Sequence, residues 1–339
     1  MGALLSNAVG IIVVLAIIGF LVFTGFRLGP RFLVRRLAGL LFVLIGVTFI
    51  TFIMGYFAPG NAVFQQLGQH YSPAEYKSLL HLYGLDLPWY QQYADYIIRL
   101  LHFDLGYSYI LDSRTVWSIL QLYVPASVQL GVSGVVVALI LGIPTGILAA
   151  VRANSRVDSS FQFVGLVLYS LPSFVLIPFF QFAMVWLYNQ GLPYLPTSGW
   201  DNLSEKIAPI LIFGAGAFAY YLRLTRSSML EVLHQDYIRT ARAKGLRENV
   251  VIWRHAFRNA IIPLITAVGP ALAFAVAGLF IVESLFNIPG IGNQALQAIF
   301  QRDWPVVQGT TILLALAVVF MNLVTDVAYG FADPRIRSE

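Results

Sequence analysis

The sequence predicts an all-α membrane protein that crosses the bilayer several times. Hydrophobic residues make up 58% of the 339 residues and charged residues only 11%, which is far outside the composition of a water-soluble domain. The apolar residues also form long blocks instead of following amphipathic spacing. Blocks of about 18 or more residues match the roughly 30 Å of hydrocarbon that a helix must cross.

Seven apolar blocks are predicted to be transmembrane helices. They cover residues 8–26, 37–57, 122–151, 161–187, 207–222, 262–284 and 306–331. The shortest of them has Tyr220 and Tyr221 near its end, and tyrosine is typical of the membrane–water interface. The first block could also be a signal peptide, but it is long, no basic residue precedes it, and the Arg27–Arg36 cluster follows it. We therefore expect a retained N-terminal helix.

Basic residues are distributed unequally between the two sides that these helices define. Connections on one side carry 16 of the 21 Lys and Arg residues. The other side carries the remaining five, which are Lys77, Arg99, Arg114, Lys206 and Arg302. Since cytoplasmic loops collect positive charge, this distribution places the connection 223–261 and the C-terminus in the cytoplasm and the N-terminus outside. The net charge of +5 is thus explained by the basic cytoplasmic connections, and we predict no nucleic-acid partner.

The segment 58–121 between the second and third blocks is predicted to form a small external lid. Ser72 precedes Pro73 and Glu75, which is typical of a capped helix start, and a second short helix is predicted at Tyr90–Leu101. Two interpretations stay open. The lid helices either lie at the membrane interface or form a docking surface for an external protein. The aromatic residues that would anchor them at the interface are Trp89, Tyr90 and Tyr93.

The sequence carries no motif for catalysis or nucleotide binding. None of the three lysines follows a glycine, so there is no phosphate-binding loop of the Walker A type. There is also no HExxH or G-x-S-x-G pattern, and cysteine is absent. The five histidines lie in loops or at interfaces. We therefore predict no catalytic residue, no metal site and no cofactor held by this chain.

Only two carboxylates lie within the predicted spans, Glu283 near the outer end of the sixth and Asp326 near the inner end of the seventh. A proton-coupled carrier more often buries ionisable residues near the midplane, so a secondary carrier is disfavoured. An intramembrane enzyme would need a polar catalytic pair within the spans, and the sequence offers none. Each carboxylate could equally serve as an interfacial cap or make an interhelix hydrogen bond.

The connection 223–261 contains a basic, alanine-rich stretch with a glycine in its middle. Arg239–Lys244 is predicted to be one short helix, Gly245 its break, and Glu248–Arg258 a second helix. Ala241, Ala243 and Gly245 reduce side-chain bulk, which would allow another protein to approach the backbone closely. The alternative is a positively charged loop that lies against anionic headgroups of the membrane lipid.

These residues resemble the EAA loop of permease subunits in binding-protein-dependent ABC importers, in the version of the oligopeptide and dipeptide group. In DYIRTARAKGL, Arg239, Thr240 and Ala241 take the first three positions of the EAA-x3-G pattern, and Gly245 takes the glycine. The leading glutamate is absent, and Arg258 in RHAFRNAIIPLI replaces a proline common in other importers. Both departures are similar to the peptide group itself. Further matches along nearly the whole chain are RFLVRRL, APG, YGLDLPWYQQY, DLGYSY, LGIPTGILAA, SLPSF, ESLFNIPGIG and ADPRIR.

The resemblance implies the transmembrane domain of a type I ABC importer, with a six-helix core in residues 31–339. Because the family typically begins near Arg31, residues 1–30 would form an extra N-terminal transmembrane helix. The lid and the turn at Pro289–Gly292 would face an external binding protein. The candidates for the pathway or its outer gate are Glu283, Pro289 and Gly290.

The resemblance also implies partners. A second homologous permease subunit would complete the pathway, and two cytoplasmic ATPases would bind ATP and Mg. The chain would touch an ATPase through a coupling loop formed by Arg239, Thr240, Ala241, Ala243, Lys244 and Gly245. The expected function is a permease subunit for oligopeptides or dipeptides in a bacterial inner membrane, without enzymatic activity of its own. Importers of nickel, sugars or other small solutes share this pattern and stay open as alternatives.

Overall fold

The computed structural model describes residues 30–58, 72–111, 114–276 and 279–332, together with Val63 and Leu67. The predicted helix at 8–26 lies outside these residues. Within the described ranges all regular structure is helical, apart from one isolated antiparallel bridge between Tyr107 and Thr115. The predicted all-α class is therefore confirmed.

Thirteen helices follow one another in the described part of the chain. They are α1 (Pro30–Phe57), α2 (Pro73–Leu82), α3 (Trp89–Leu101), α4 (Val116–Val151), α5 (Arg156–Ser170), α6 (Ser173–Asn189), α7 (Leu203–Leu233), α8 (Asp236–Ala243), α9 (Glu248–Ala260, with a π-helical turn at Val251–Ala256), α10 (Ile262–Val276), α11 (Phe280–Leu285), α12 (Ile291–Gln301) and α13 (Trp304–Ala332).

Four of these helices contain segments long and apolar enough to cross a membrane singly. These segments are Ala38–Phe57, Val116–Val151, Leu203–Leu233 and Trp304–Thr325. Two bent pairs pass the same test together: α5 with α6, at an angle of 97°, and α9 with α10, at 52°. The described residues thus provide four spans, or six if each bent pair is one span, and the prediction of a multi-pass helical protein holds.

Three predicted spans differ from the helices that form. The block at 161–187 is not one helix, because the chain bends at Leu171 and Pro172; a proline has no N–H to donate and disfavours helical geometry in the residue before it. The block at 262–284 is divided between α10 and α11. The block at 207–222 is too short, since α7 continues to Leu233 and takes in residues 223–233 of the predicted connection.

The centre of the described fold is the contact between α4 and α7, which depends on small residues. Gly134, Gly142 and Gly146 lie one above the other on α4 and face α7. A Cβ added at Gly146 would stand 2.6 Å from Cβ of Thr225, closer than real Cβ atoms approach. Small residues at such positions permit the close helix contacts that stabilise membrane bundles.

The lid begins as predicted, with a capping box at the start of α2. Ser72 Oγ accepts a hydrogen bond from the Glu75 N–H at 3.2 Å, and the Glu75 carboxylate accepts one from the Ser72 N–H at 2.9 Å. The backbone hydrogen bond from Ser72 holds the pKa of the Glu75 carboxyl below its usual range. The second lid helix is also confirmed, as α3.

One of the three proposed interface anchors in the lid is wrong. Tyr93 packs against the rings of Phe49 and Phe52, with centroids 5.5 Å and 5.2 Å away, and its hydroxyl lies 3.3 Å from Thr48 Oγ. Its role is to dock α3 on α1. Trp89 and Tyr90 are exposed, as an interfacial position would require.

Candidate functional site

The predicted coupling loop forms two helices separated by a left-handed turn. Helix α8 ends at Ala243, and Gly245 has φ of +74°, a conformation that side chains other than glycine adopt at a cost. Across this turn, Arg242 donates to Glu248 through Nη2 to Oε1 at 2.7 Å and Nε to Oε2 at 3.2 Å. This hydrogen bonding raises the pKa of Arg242. The ion pair links the end of α8 to the start of α9.

The coupling-loop residues do not share one face. Ala241 is 6% exposed and Ile238 fully buried, and both pack among apolar residues of α4, α7 and α9. The prediction that Ala241 offers its small side chain to a partner is therefore not met by this arrangement, because that side chain faces the chain's own core. The exposed members are Arg239, Thr240, Ala243, Lys244 and Gly245.

Apolar side chains enlarge this exposed surface, and sequence reasoning missed them. Tyr237, Leu246, Val250 and Trp253 are all exposed around α8 and the start of α9. Asn259 Nδ2 donates to the Tyr237 hydroxyl at 2.8 Å, which connects α8 to the far end of α9. Mixed aromatic and basic surfaces of this kind are enriched at protein interfaces. The spacing of large apolar residues within the basic stretch was the available signal.

A second ion pair joins α5 to α7, and its carboxylate is buried. Asp158 is 4% exposed and accepts from Arg226 Nε at 2.7 Å and from Nη2 at 2.6 Å. Asp158 also accepts from the Asn154 N–H at 2.9 Å, and its own N–H donates to Ser155 Oγ at 3.3 Å. The pair ties α5 to α7. The Ser155-x-x-Asp158 pattern could have indicated the cap, but nothing local indicates the distant arginine.

At the opposite end of α4, Glu283 on α11 organises the turn that enters α12. The residue is fully buried; Oε1 accepts from Ser127 Oγ at 2.7 Å, and Oε2 accepts from the Asn293 N–H at 2.9 Å. Ser127 in turn accepts from the Ile291 N–H at 2.7 Å. A Cβ at Gly290 would lie 2.3 Å from Glu283 Cδ, so this close approach requires glycine.

The three outer-gate candidates therefore differ in what they can touch. Glu283 has no accessible surface, and its contacts are the interhelix hydrogen bond that the sequence also allowed. Gly290 is buried beside it, and Pro289 is exposed. In this conformation only Pro289 is placed to meet a solute or a protein. The side chain of Asp326, the other intramembrane carboxylate, lies outside the described part of the structure.

The described architecture defines a class of protein: a multi-pass helical membrane domain with an exposed helical loop at one end of α4 and a lid at the other. Residues 142–338 match the family of binding-protein-dependent transport system inner membrane components, and residues 29–131 match the N-terminal domain of such components. The chain belongs to this family.

Similar proteins cover nearly the whole sequence. The dipeptide transport system permease protein DppB of Escherichia coli (strain K12) is 37% identical over 336 residues, covering 91% of this chain and 98% of that protein. DppB of Bacillus subtilis (strain 168) is 36% identical with the same coverage. The oligopeptide transport system permease protein AppB of Bacillus subtilis (strain 168) is 32% identical over 315 residues, covering 90% and 98%.

The fold is similar to that of a solved importer. A structure of the MetNI methionine ABC transporter in inward-facing conformations aligns with a TM-score of 0.53 and 16% identity. The alignment covers 64% of this chain and 97% of that chain. The predicted type I importer fold is confirmed by this likeness.

Proposed function

We propose that this chain is a permease subunit of an ATP-driven importer for dipeptides or oligopeptides. The observation that carries the proposal is the exposed α8–Gly245–α9 surface, which is bridged by the Arg242–Glu248 pair and packs on α4 and α7. The two DppB proteins and AppB, each at least 32% identical to this chain, are named as dipeptide or oligopeptide permeases, which favours peptides over nickel or sugars as the solute.

The packing of α8 explains how an ATPase would move the spans. Ile238 and Ala241 contact the same apolar cluster as Ile147 of α4 and Met229 of α7. A partner that pushes on the exposed side of α8 would therefore displace both long helices together. ATP and Mg would be held by the separate ATPase, whose closure favours one of two permease states through differential contacts.

The proposed assembly has a second permease subunit, two ATPases and an external binding protein. The basic α8–α9 loop lies in the cytoplasm in this proposal, together with the C-terminus, and the lid and the Pro289 turn lie outside. Residues 1–30 would add an N-terminal span that enters from the outside. The support for this orientation is the 16 of 21 Lys and Arg residues on one side.

A substitution at Gly245 tests the coupling. No atom lies within 4 Å of a Cβ built there, so Gly245→Trp projects its bulk away from the chain's own atoms and into the proposed ATPase contact. In the reconstituted complex, we expect ATP hydrolysis to lose its stimulation by loaded binding protein, while membrane insertion of the variant persists. Gly245→Asn is the matched control, because asparagine tolerates positive φ and is small.

Three results would decide against the proposal. Normal stimulation in Gly245→Trp would exclude the coupling role of the loop. Uptake of a labelled dipeptide into proteoliposomes tests the solute: we expect ATP-dependent uptake that persists with a proton ionophore. Uptake of nickel or a sugar in place of the dipeptide would assign the chain to another branch of the family, and uptake without ATPase subunits would indicate a secondary carrier.

A further inference from the structure

A cavity of about 470 Å³ lies under the lid, between α1, α3 and the beginning of α13. Aromatic side chains form much of its wall, namely Tyr56, Tyr96, Tyr109 and Trp304. A second cavity of about 420 Å³ adjoins it, and both are lined by Tyr96, Arg99 and Tyr109. The space is large enough for a small organic molecule, and its wall suits apolar groups.

Two opposite charges line the larger cavity on one side of α3. Asp95 and Arg99 are both exposed and are four residues apart, so their Cβ atoms are about 5–6 Å from each other. Neither forms an ion pair with any residue in the described ranges. The guanidinium of Arg99 lies near Gly106, with Nη1 3.9 Å from a Cβ built there, and so borders both cavities. One anion and one cation are thus available to a ligand.

Tyr96 adds a hydroxyl without a partner to the same wall. The residue is 7% exposed, and its Oη makes no hydrogen bond within the part of the chain that the structure describes. Buried polar groups are nearly always paired with protein, ordered water or a ligand, so this hydroxyl is free to bond to a molecule that enters the cavity. Burial raises the pKa of Tyr96, so the hydroxyl stays protonated at neutral pH and is able to donate.

We propose that this lid cavity binds a zwitterionic dipeptide. Its ammonium group pairs with Asp95, its carboxylate pairs with Arg99, and a peptide carbonyl accepts from Tyr96. Two extended residues span at most about 7 Å, which is comparable with the roughly 5–6 Å between the Cβ atoms of Asp95 and Arg99, whereas the termini of a tetrapeptide lie about twice as far apart. The aromatic wall receives the side chains. A simple anion or cation would satisfy only one of the two charges.

The inference rests on the proposed function for its biological role. In an importer, the lid site would hold the peptide between its release from the binding protein and its entry into the pathway. Binding itself needs no ATP and no binding protein, so it is measurable separately from transport.

The test uses the whole permease–ATPase complex in lipid nanodiscs, without nucleotide and without binding protein. Equilibrium binding is measured for labelled Ala-Phe, for its N-acetyl and C-amide derivatives, and for a tetrapeptide. We expect Asp95→Asn to weaken Ala-Phe about tenfold but to leave the N-acetyl derivative unchanged. We expect Arg99→Gln likewise to weaken Ala-Phe about tenfold and to leave the C-amide derivative unchanged. Tyr96→Phe weakens Ala-Phe about threefold without lowering the thermal stability of the complex.

The matched control is Lys77→Gln, which removes an exposed charge on α2 outside both cavities and leaves binding unchanged. The proposal is overturned if Ala-Phe does not bind, if the blocked derivatives or the tetrapeptide bind as well as Ala-Phe, or if Lys77→Gln has the same effect. In a separate titration of the complex with the empty binding protein, the proposal is also overturned if Asp95→Asn and Arg99→Gln weaken the binding of that protein and leave dipeptide binding unchanged, since the occupant is then a segment of that protein.

Transport separates this proposal from the proposed function. Normal ATP-driven dipeptide uptake by a complex whose lid binds no dipeptide refutes the lid site and leaves the peptide importer intact. Dipeptide binding in the lid by a complex that transports no peptide refutes the proposed function and leaves the site.

Discussion

Asp158 on α5 and Arg226 on α7, which are 68 residues apart in the chain, form a bidentate ion pair with Nε–Oδ1 and Nη2–Oδ2 distances of 2.7 Å and 2.6 Å. The side chains are 5% and 24% exposed. A bidentate pair of this geometry fixes both distance and orientation. It therefore holds α5 against α7.

Removing one partner of this pair should destabilise the protein strongly. Arg226→Gln leaves the Asp158 carboxylate buried without its cation, which costs about 3 kcal/mol in comparable cases. Unfolding of the purified protein in detergent measures the loss. Combining it with Asp158→Asn should cost less than the sum of the two single changes, because the uncompensated charge is then gone.

The exposed pair of Arg242 and Glu248 provides the control: Arg242→Gln should cost less than about 1 kcal/mol. Equal losses at Arg226 and Arg242 would contradict the prediction.

The contact of α4 with α7 should be sensitive to a single methyl group. In Gly146→Ala the new Cβ meets Thr225 Cβ at 2.6 Å and Leu222 O at 2.7 Å, so the helices must separate. We expect a loss of roughly 1–3 kcal/mol, as in other overpacked cores, seen as a lower unfolding temperature. Gly39→Ala is the matched control: nothing lies within 4 Å of its Cβ, and alanine favours a helix. A similar result for both variants would show that the helices are not held this closely.

Elements set by neighbouring residues were predictable from the sequence. The capping box of Ser72 and Glu75 lies within one helical turn, and the break at Gly245 lies within a ten-residue pattern of strong and weak helix formers. The predicted span 161–187 runs through Pro172, because the sequence of apolar residues continues on both sides of it and no local pattern gives the 97° bend.

Contacts between distant residues were not predictable. The sequence placed Glu283 near the end of a span and left open whether it lined a pathway or made an interhelix hydrogen bond. The structure settles this, because Ser127, which is 156 residues away, donates to the carboxylate, and Gly290 leaves room for it by having no side chain. The burial of Ala241 is of the same kind, because it depends on α4 and α7 meeting beneath α8.

Glu283→Gln should destabilise the outer turn although it preserves the shape of the side chain. The carboxylate accepts from three donors, Ser127 Oγ and the N–H groups of Leu279 and Asn293. The glutamine amide has an NH2 group in place of one carboxylate oxygen, so at least one of the three donors loses its acceptor. The expected loss in free energy of unfolding is about 1–3 kcal/mol. Unfolding temperature measures this loss. Glu231→Gln, on an exposed side chain of α7, should have no effect. An unchanged unfolding temperature in Glu283→Gln would show that the network contributes nothing.

Asp303 should make the attachment of the lid to α13 dependent on pH. Burial raises the pKa of this carboxyl above its usual 3.8, although hydrogen bonds from Ser108 and the Tyr109 N–H oppose the rise. A carboxyl with a higher pKa in the folded chain stabilises it when protonated, and this contribution is lost as pH rises through the folded value. Relative to Asp303→Asn, the native protein should therefore unfold at lower temperature at about pH 7 than at about pH 4. Asp86→Asn is the control with the opposite trend, because the His81 hydrogen bond lowers the pKa of Asp86. A constant difference between native protein and Asp303→Asn across this range would refute the prediction.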